Sequence, residues 1–347
     1  MAGRIPVTVI TGFLGAGKTT LVARLLRHPK MDRVAVVINE IGAIGIDHDL
    51  VSQISESVSL LANGCLCCSV RTDLQHTLRA LFQDRVAGLI PEFDRVMLET
   101  TGLADPAPVV QSLLTDPLLA KHFFLDGVVT LVDAEHGNLT LQTYVESVKQ
   151  VAIADLILLT KSDRVSEDAL QEVKQAVANI QPYAQQSLLM FGDIEPSELI
   201  GRGLSSCRAT EAVSKLFPNR LIDQQSMEAT DHVDHSRPLQ QAIRHTSGIK
   251  TFSITWNECF EWDAFSSALE LLANLRGQDL LRVKGIINVM GKPVVVQGVQ
   301  HVFHPPVELD CWPSADQNSR LVFIGRRLDA NAIRVLFHAA GKLRADD

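Results

Sequence analysis

One octet near the N-terminus, Gly12-Phe13-Leu14-Gly15-Ala16-Gly17-Lys18-Thr19, restricts what this chain can fold into more than any other feature. It fits G-x-x-x-x-G-K-[ST] and is followed by Thr20. The apolar run Val7 to Thr11 before it reads as a strand, and Thr20 to Leu26 after it reads as a helix. A phosphate-binding loop needs that setting. Glycines let backbone N–H groups wrap the phosphates, and the helix N-terminus adds the positive end of its dipole. Lys18 then reaches the β and γ oxygens, and Thr19 ligates Mg2+. A glycine-rich turn with a stray lysine would need neither the strand nor the helix. The segment Gly12 to Thr20 is expected to bind a nucleoside triphosphate.

A loop of this kind belongs at the end of a strand in a doubly wound sheet, and the following sequence agrees. Val34 to Asn39, Arg95 to Glu99, Gly127 to Asp133 and Leu156 to Thr160 are apolar without alternation, as strands buried on both faces should be. Helical patterns such as Leu74 to Phe82 and Asp168 to Asn179 supply crossovers. The fold class expected is a P-loop NTPase with a doubly wound, mostly parallel sheet, followed by a smaller α+β C-terminal domain. In the latter, Lys250 to Trp256, Leu280 to Val289, Pro293 to Phe303 and Arg320 to Ile324 read as strands, and Asp263 to Leu275 and Asp329 to Ala340 as helices. The domains expected are 1–217, a polar linker at 218–244, and 245–347.

Composition removes several classes. With 46% hydrophobic and 21% charged residues, neither a disordered nor a fibrous chain is indicated. The 32 Lys+Arg against 40 Asp+Glu leave −8, which argues against a dedicated nucleic-acid partner. No apolar stretch reaches the length of a membrane span, and Ile5 to Ala16 carries polar residues and lacks a cleavage site, so a cytoplasmic protein is expected. The six cysteines then do not suggest a disulfide framework.

Two segments suit a nucleotide switch. Glu99-Thr100-Thr101-Gly102 follows a strand, placing an acid where it can hold magnesium or its water and the Gly102 N–H where it can sense a γ-phosphate. Thr160-Lys161-Ser162-Asp163 also ends a strand. Guanine-specific proteins carry Asn-Lys-x-Asp there, and the carboxylate, here Asp163, accepts from guanine N1 and N2, favouring GTP over ATP. Thr160 stands where asparagine is usual. No glutamine follows Gly102 and no arginine finger is evident, so intrinsic hydrolysis should be slow and accelerated by a metal, a partner or a dimer.

Asn63-Gly64-Cys65-Leu66-Cys67-Cys68 is the strongest feature outside the nucleotide motifs. Thiolates suit Zn2+, Cu(I) or Co2+, and three of them with an open position suit a site that hands metal on. Three cysteines so close can converge only if the backbone turns, since a regular strand sends Cys67 and Cys68 to opposite faces. A buried apolar cluster and a redox pair are the other readings. The cluster lies between Asn39-Glu40-Ile41-Gly42 and the Glu99 segment, so hydrolysis could alter metal affinity. Glu40 is the candidate additional ligand. Cys207, Cys259 and Cys311 read as core residues, and His232 and His235 as part of a solvated linker.

Together these motifs resemble the CobW-type metallochaperone GTPases of the SIMIBI class. The matching stretches are Gly12 to Thr20, Asn39-Glu40 through Gly45-Ile46-Asp47, Gly64 to Cys68, and Glu99 to Pro106. The family's second domain is matched by Leu281-Arg282-Val283-Lys284-Gly285, Gln297-Gly298-Val299, Trp312 and Phe323-Ile324-Gly325-Arg326. The resemblance implies GTP hydrolysis with Mg2+, coupled to delivery of a metal from the CxCC site to a client metalloenzyme. Zinc is the expected cargo, with cobalt, nickel or iron as the alternative, and a homodimer is compatible with it. Ala43 departs from the family's acidic residue, and Thr160 from its asparagine. Other classes are a small-molecule P-loop kinase, which would need an acceptor pocket and lid, and a metal sensor that binds GTP without turnover.

Overall fold

The computed structural model describes residues 4–31, 33–39, 59–60, 66–70, 74–202 and 248–342. The N-terminal unit begins with β1 (Ile5–Gly12), α1 (Lys18–Leu25), β2 (Val34–Asn39), β3 (Ser59–Leu60), β4 (Leu66–Val70), α2 (Leu74–Val86) and β5 (Arg95–Thr100). It continues through α3 (Ala107–Thr115), α4 (Pro117–His122), β6 (Phe123–Asp133), α5 (Gly137–Thr143) and α6 (Val145–Ala152). Then come β7 (Leu156–Thr160), α7 (Glu167–Ile180), β8 (Gln185–Leu189) and α8 (Pro196–Leu199). The eight strands lie in the order β3-β4-β2-β5-β1-β6-β7-β8, parallel throughout except for β3 against β4. Strands β2 and β7 have the bounds the sequence implies, because each is an apolar run covered on both faces.

Alternate residues of β1 feed opposite cores. Val7 and Val9 pack with Leu78 of α2 and Val110 of α3, while Ile10 packs with Leu21 of α1. Helices therefore cover both faces, as in a doubly wound sheet. With β1 between β5 and β6, the chain segments leaving the carboxyl ends of β1, β5, β6 and β7 gather at one edge, where ligands bind in open sheets of this kind.

The C-terminal unit comprises β9 (Ile249–Trp256), α9 (Trp262–Arg276), β10 (Leu280–Val289), β11 (Lys292–Val299), β12 (Val302–Phe303), β13 (Val307–Glu308), β14 (Ser319–Arg326) and α10 (Ala330–Lys342). Its strands run β12-β11-β10-β14-β9 with antiparallel pairing, and β13 pairs with β11. Expected as one strand, Pro293 to Phe303 is instead two. Gln300 takes a positive φ of 54° and turns the chain back on itself, so β12 pairs with β11. One face of this sheet packs against α9 and α10 through Phe265, Leu269, Ile333 and Phe337. The other face docks onto the first unit: Leu281, Val322 and Ile324 share a core with Val148 of α6 and Val177 of α7. Val299 is buried in the core beneath α2 and α3. Each such side chain removed from water contributes about 2 kcal/mol. No helix among the described residues is long and apolar enough to cross a membrane.

Candidate functional site

The phosphate loop leaves β1 where a side chain has no room. Gly12 adopts φ +144°, and a Cβ there would lie 2.4 Å from the carbonyl oxygen of Leu131 on the neighbouring strand β6. Gly15 and Gly17 follow with φ of +73° and +94°, and Gly17 opens α1. The Ala16 N–H bonds back to Phe13 O at 3.2 Å, and Lys18 Nζ donates to the same carbonyl at 3.2 Å. The lysine is buried, held across the loop that its ammonium group would otherwise leave open. The donor-rich loop, its lysine and the helix start form an anion cradle fitting a polyphosphate.

Register explains the next contact. Ile10 of β1 pairs with Glu99 of β5, so the end of β5 lies beside the loop. The Thr19 hydroxyl donates to Glu99 Oε1 at 2.7 Å. Two oxygen ligands converging next to a phosphate cradle suit a hard divalent cation such as Mg2+. Just beyond, Gly102 lies against the loop: a Cβ on it would come within 2.7 Å of the Leu14 backbone nitrogen. Only glycine permits this closeness, and it brings the Gly102 backbone next to the phosphate loop.

At the far side, β7 ends at Thr160-Lys161-Ser162-Asp163, the segment expected to recognise the base. Thr160 donates its hydroxyl to Ala16 O at 3.0 Å, bracing the phosphate loop. Lys161 sits in the left-handed region at φ 56°, with its ammonium 2.7 Å from Asp133 Oδ2. Asp163 is exposed in a one-turn 3-10 helix, Ser162–Arg164, with its carboxylate open to a ligand. The segments leaving β1, β5 and β7 are thus brought together around one edge of the sheet.

The metal candidates are described only in part. Cys65 and Glu40 lie outside the described residues, as do Ala43, Cys207, His232 and His235. Cys67 and Cys68 belong to β4, paired with Val36 and Val37 of β2. The turn expected at these two positions is a strand instead, because Leu66 to Val70 pairs with β2 on one side and with β3 on the other. No cluster of three or more His, Cys, Asp or Glu side chains suited to a metal occurs among the described residues. Cys259 and Cys311, expected in a core, are exposed free thiols.

Several residues have roles that local sequence does not announce. Thr100 donates to Thr11 at 2.8 Å, joining the ends of β5 and β1 inside the protein. Asp133 orients Lys161 and also accepts from the Glu135 N–H at 2.8 Å. Asp155, just before β7, receives Arg282 Nη2 at 2.7 Å and Lys284 Nζ at 2.8 Å, both from β10. It also accepts from the Val128 N–H at 2.9 Å. Burial pushes its carboxyl up, but the charges of Arg282 and Lys284 outweigh that and hold it at about 2. Burial pushes the Lys284 ammonium down. His304, close by, bonds Gln297 at 3.2 Å, and burial with the charge of Arg282 lowers it to about 3. The one local signal for this triad is a pair of cations inside an otherwise apolar strand, Leu281 to Gly285.

The fold and this edge define a P-loop nucleotide-binding protein with the loops of a GTPase. Residues 6–187 match the nucleotide-binding domain of the CobW/HypB/UreG family, and 249–341 match the cobalamin synthesis protein cobW C-terminal domain. The chain belongs to the CobW/HypB/UreG family. It is 30% identical to the zinc chaperone YjiA of Escherichia coli, over 96% of this chain and 98% of that protein. It is 28% identical to the zinc-regulated GTPase metalloprotein activator 1 of Schizosaccharomyces pombe, over 93% of this chain and 83% of the other. The crystal structure of Zn(II)-bound YjiA GTPase superposes with a TM-score of 0.72 at 29% identity, covering 98% of this chain and 100% of that one.

Proposed function

We propose that this protein is a GTP-hydrolysing metallochaperone that binds zinc through Cys65, Cys67 and Cys68, with Glu40 as an additional ligand, and passes it to a client metalloenzyme. Residues 1–217 carry the GTPase and metal sites, 245–347 form the second domain, and 218–244 are the polar linker between the two domains. The observation that carries the reading is the register across three strands. Cys68 of β4 pairs with Val37 of β2, which pairs with Leu98 of β5, and Glu99 comes next. Two strand spacings, roughly 10 Å of backbone, separate the cysteine strand from the strand that carries the magnesium candidate. The names of the relatives favour zinc among the metals that thiolates accept.

In this reading the backbone of Gly12 to Thr20 and Lys18 hold the β- and γ-phosphates, and Thr19 and Glu99 hold Mg2+, which neutralises charge on those phosphates. Gly102 senses the γ-phosphate. Lys161 and Asp163 line the guanine, with Thr160 bracing the loop. Water attacks the γ-phosphorus, the bond to the β-γ bridging oxygen breaks, and GDP and phosphate leave. Gathering Cys67 and Cys68 on one ion requires the backbone to leave the strand conformation there, which gives hydrolysis a means of changing affinity for the cargo. The protein works in the cytoplasm, with the client and a second copy of the chain as its partners and neither nucleic acid nor membrane among them.

The test is a zinc titration against a chromophoric chelator, with a non-hydrolysable GTP analogue and again with GDP. Tight binding in the first and weak binding in the second is expected. Equal affinity in both would overturn a nucleotide-gated carrier. Repeating the titration with cobalt addresses the alternative cargo.

A further inference from the structure

The loop after β5 is held from behind by α6. Gln150 Nε2 donates to Gly102 O at 3.1 Å and to Ala104 O at 3.0 Å, and Lys149 Nζ reaches Asp105 Oδ2 at 2.6 Å. Gln150 is buried, and its main-chain carbonyl accepts from the Thr130 hydroxyl of β6 at 2.8 Å, which ties this turn of α6 to the sheet. Two donors from one buried amide on two carbonyls of a single loop set how the Gly102 peptide faces the phosphate loop.

The same helix is gripped by the C-terminal unit. Val148, Val151 and Ala152 of α6 share a core with Leu281, Val322 and Ile324. Three residues beyond α6, Asp155 takes the two cations of β10. A second hold lies at the other end of the loop. Helix α3, which begins at Ala107, is bonded by Gln111 Nε2 to Gln300 Oε1 at 2.7 Å, at the turn between β11 and β12. Both helices that anchor residues 101–106 are therefore anchored in turn to the second sheet.

We propose that α6 couples the two units: Gln150 is a positioning residue for GTP hydrolysis, and the C-terminal sheet, by holding α6 and α3, sets the position of the Gly102 loop. A client or second copy that shifted the C-terminal sheet would thereby change the hydrolysis rate without touching the nucleotide. This rests on the reading that Gly102 senses the γ-phosphate. GDP lacks that group, so the coupling should appear in hydrolysis and not in GDP binding.

The experiment measures single-turnover GTP hydrolysis, GDP affinity and the circular-dichroism melt on full-length variants. Gln150→Leu should slow hydrolysis about tenfold or more while GDP affinity stays within about twofold. Lys149→Met, which removes a half-buried tether and threatens folding less, should slow it by a smaller factor in the same pattern. Gln111→Ala/Lys284→Met should also slow hydrolysis with GDP binding kept. Its combination with Gln150→Leu should be no slower than Gln150→Leu alone, because both act through one loop. Wild-type hydrolysis in Gln150→Leu and Lys149→Met would overturn the positioning role. A Gln111→Ala/Lys284→Met variant with a lowered melting temperature but unchanged hydrolysis would reduce the second sheet to a docked support. Gly102→Ala separates the two levels. If it hydrolyses GTP like the wild type, the γ-phosphate reading falls and takes this one with it; if it is slowed while Gln150→Leu is not, the coupling alone is overturned.

Discussion

Thr160 and Ala16 are joined by a hydroxyl-to-carbonyl hydrogen bond of 3.0 Å that ties the end of β7 to the phosphate loop, 144 residues away in sequence. A second, longer contact from the same hydroxyl runs to Val132 O at 3.4 Å. Thr160 thus braces the loop from the position where guanine-specific proteins carry asparagine. Thr160→Val keeps the shape and removes the donor, leaving Ala16 O without this bond. The bond contributes about 1 kcal/mol at most, so GDP affinity should fall by up to about fivefold. Titration with a fluorescent GDP measures it, and wild-type affinity would show the hydroxyl to be idle.

Thr19 and Glu99, 2.7 Å apart, make a separate prediction. Thr19→Ala and Glu99→Gln should each weaken the magnesium dependence of GTP binding. Affinity should fall about tenfold in millimolar Mg2+, yet stay near wild type in EDTA. Isothermal titration under both conditions distinguishes this from a general loss of the site, which would lower affinity equally in each.

His304 makes stability fall on mild acidification. Its folded value of about 3 lies below the ordinary 6.5, so the unfolded chain takes up the proton first. The stability is complete above the unfolded value and is lost progressively as pH falls toward the folded one. The slope should approach about 1.4 kcal/mol per pH unit below pH 6. Asp155 behaves differently: its carboxyl, held at about 2, stabilises above the ordinary carboxylate value and loses that only as pH falls through about 2. Urea unfolding between pH 7 and 5 therefore reports on the histidine. His304→Gln should flatten the difference, and an unchanged slope would assign it elsewhere.

Asp155, with Arg282 and Lys284, is a buried ion triad. Removing only its centre, as in Asp155→Ala, leaves two cations without an anion and should cost about 3–5 kcal/mol. Replacing all three together by Leu, Met and Met should come within about 1–2 kcal/mol of the wild type, or exceed it. Equilibrium denaturation of both variants tests this; a triple variant as unstable as the single one would show that the triad stabilises beyond neutralising itself.

The candidate nucleotide edge was legible as a place in the fold because its motifs are contiguous. Gly12 to Thr19 carries its own geometry, and apolar runs such as Leu156 to Thr160 fix the strands that present it. Contacts between distant segments were not legible. Asp155 looks like a turn acid, and its partners stand 127 and 129 residues away. Arg282 and Lys284 occupy alternate positions of a strand, where a cation ordinarily faces water; here that face meets another unit. Gln150 looks like the polar side of an amphipathic helix, yet it is buried against the loop it holds. At Cys67 and Cys68 the expectation of a turn came from side-chain chemistry, whereas pairing with β2 decided the backbone.

The shared cores make the second sheet a poor module. Val299 is counted among the buried residues under α2 and α3, and Leu281, Val322 and Ile324 among those of α6 and α7. A chain severed between the two units would bare an apolar wall on each half, with unpaired charges at its centre. Recombination that swapped one unit for a distant homologue's would have to bring matching residues on both sides of that wall. The two parts are constrained to diverge as a pair, so any change to the second sheet must also preserve its fit to the nucleotide-binding unit.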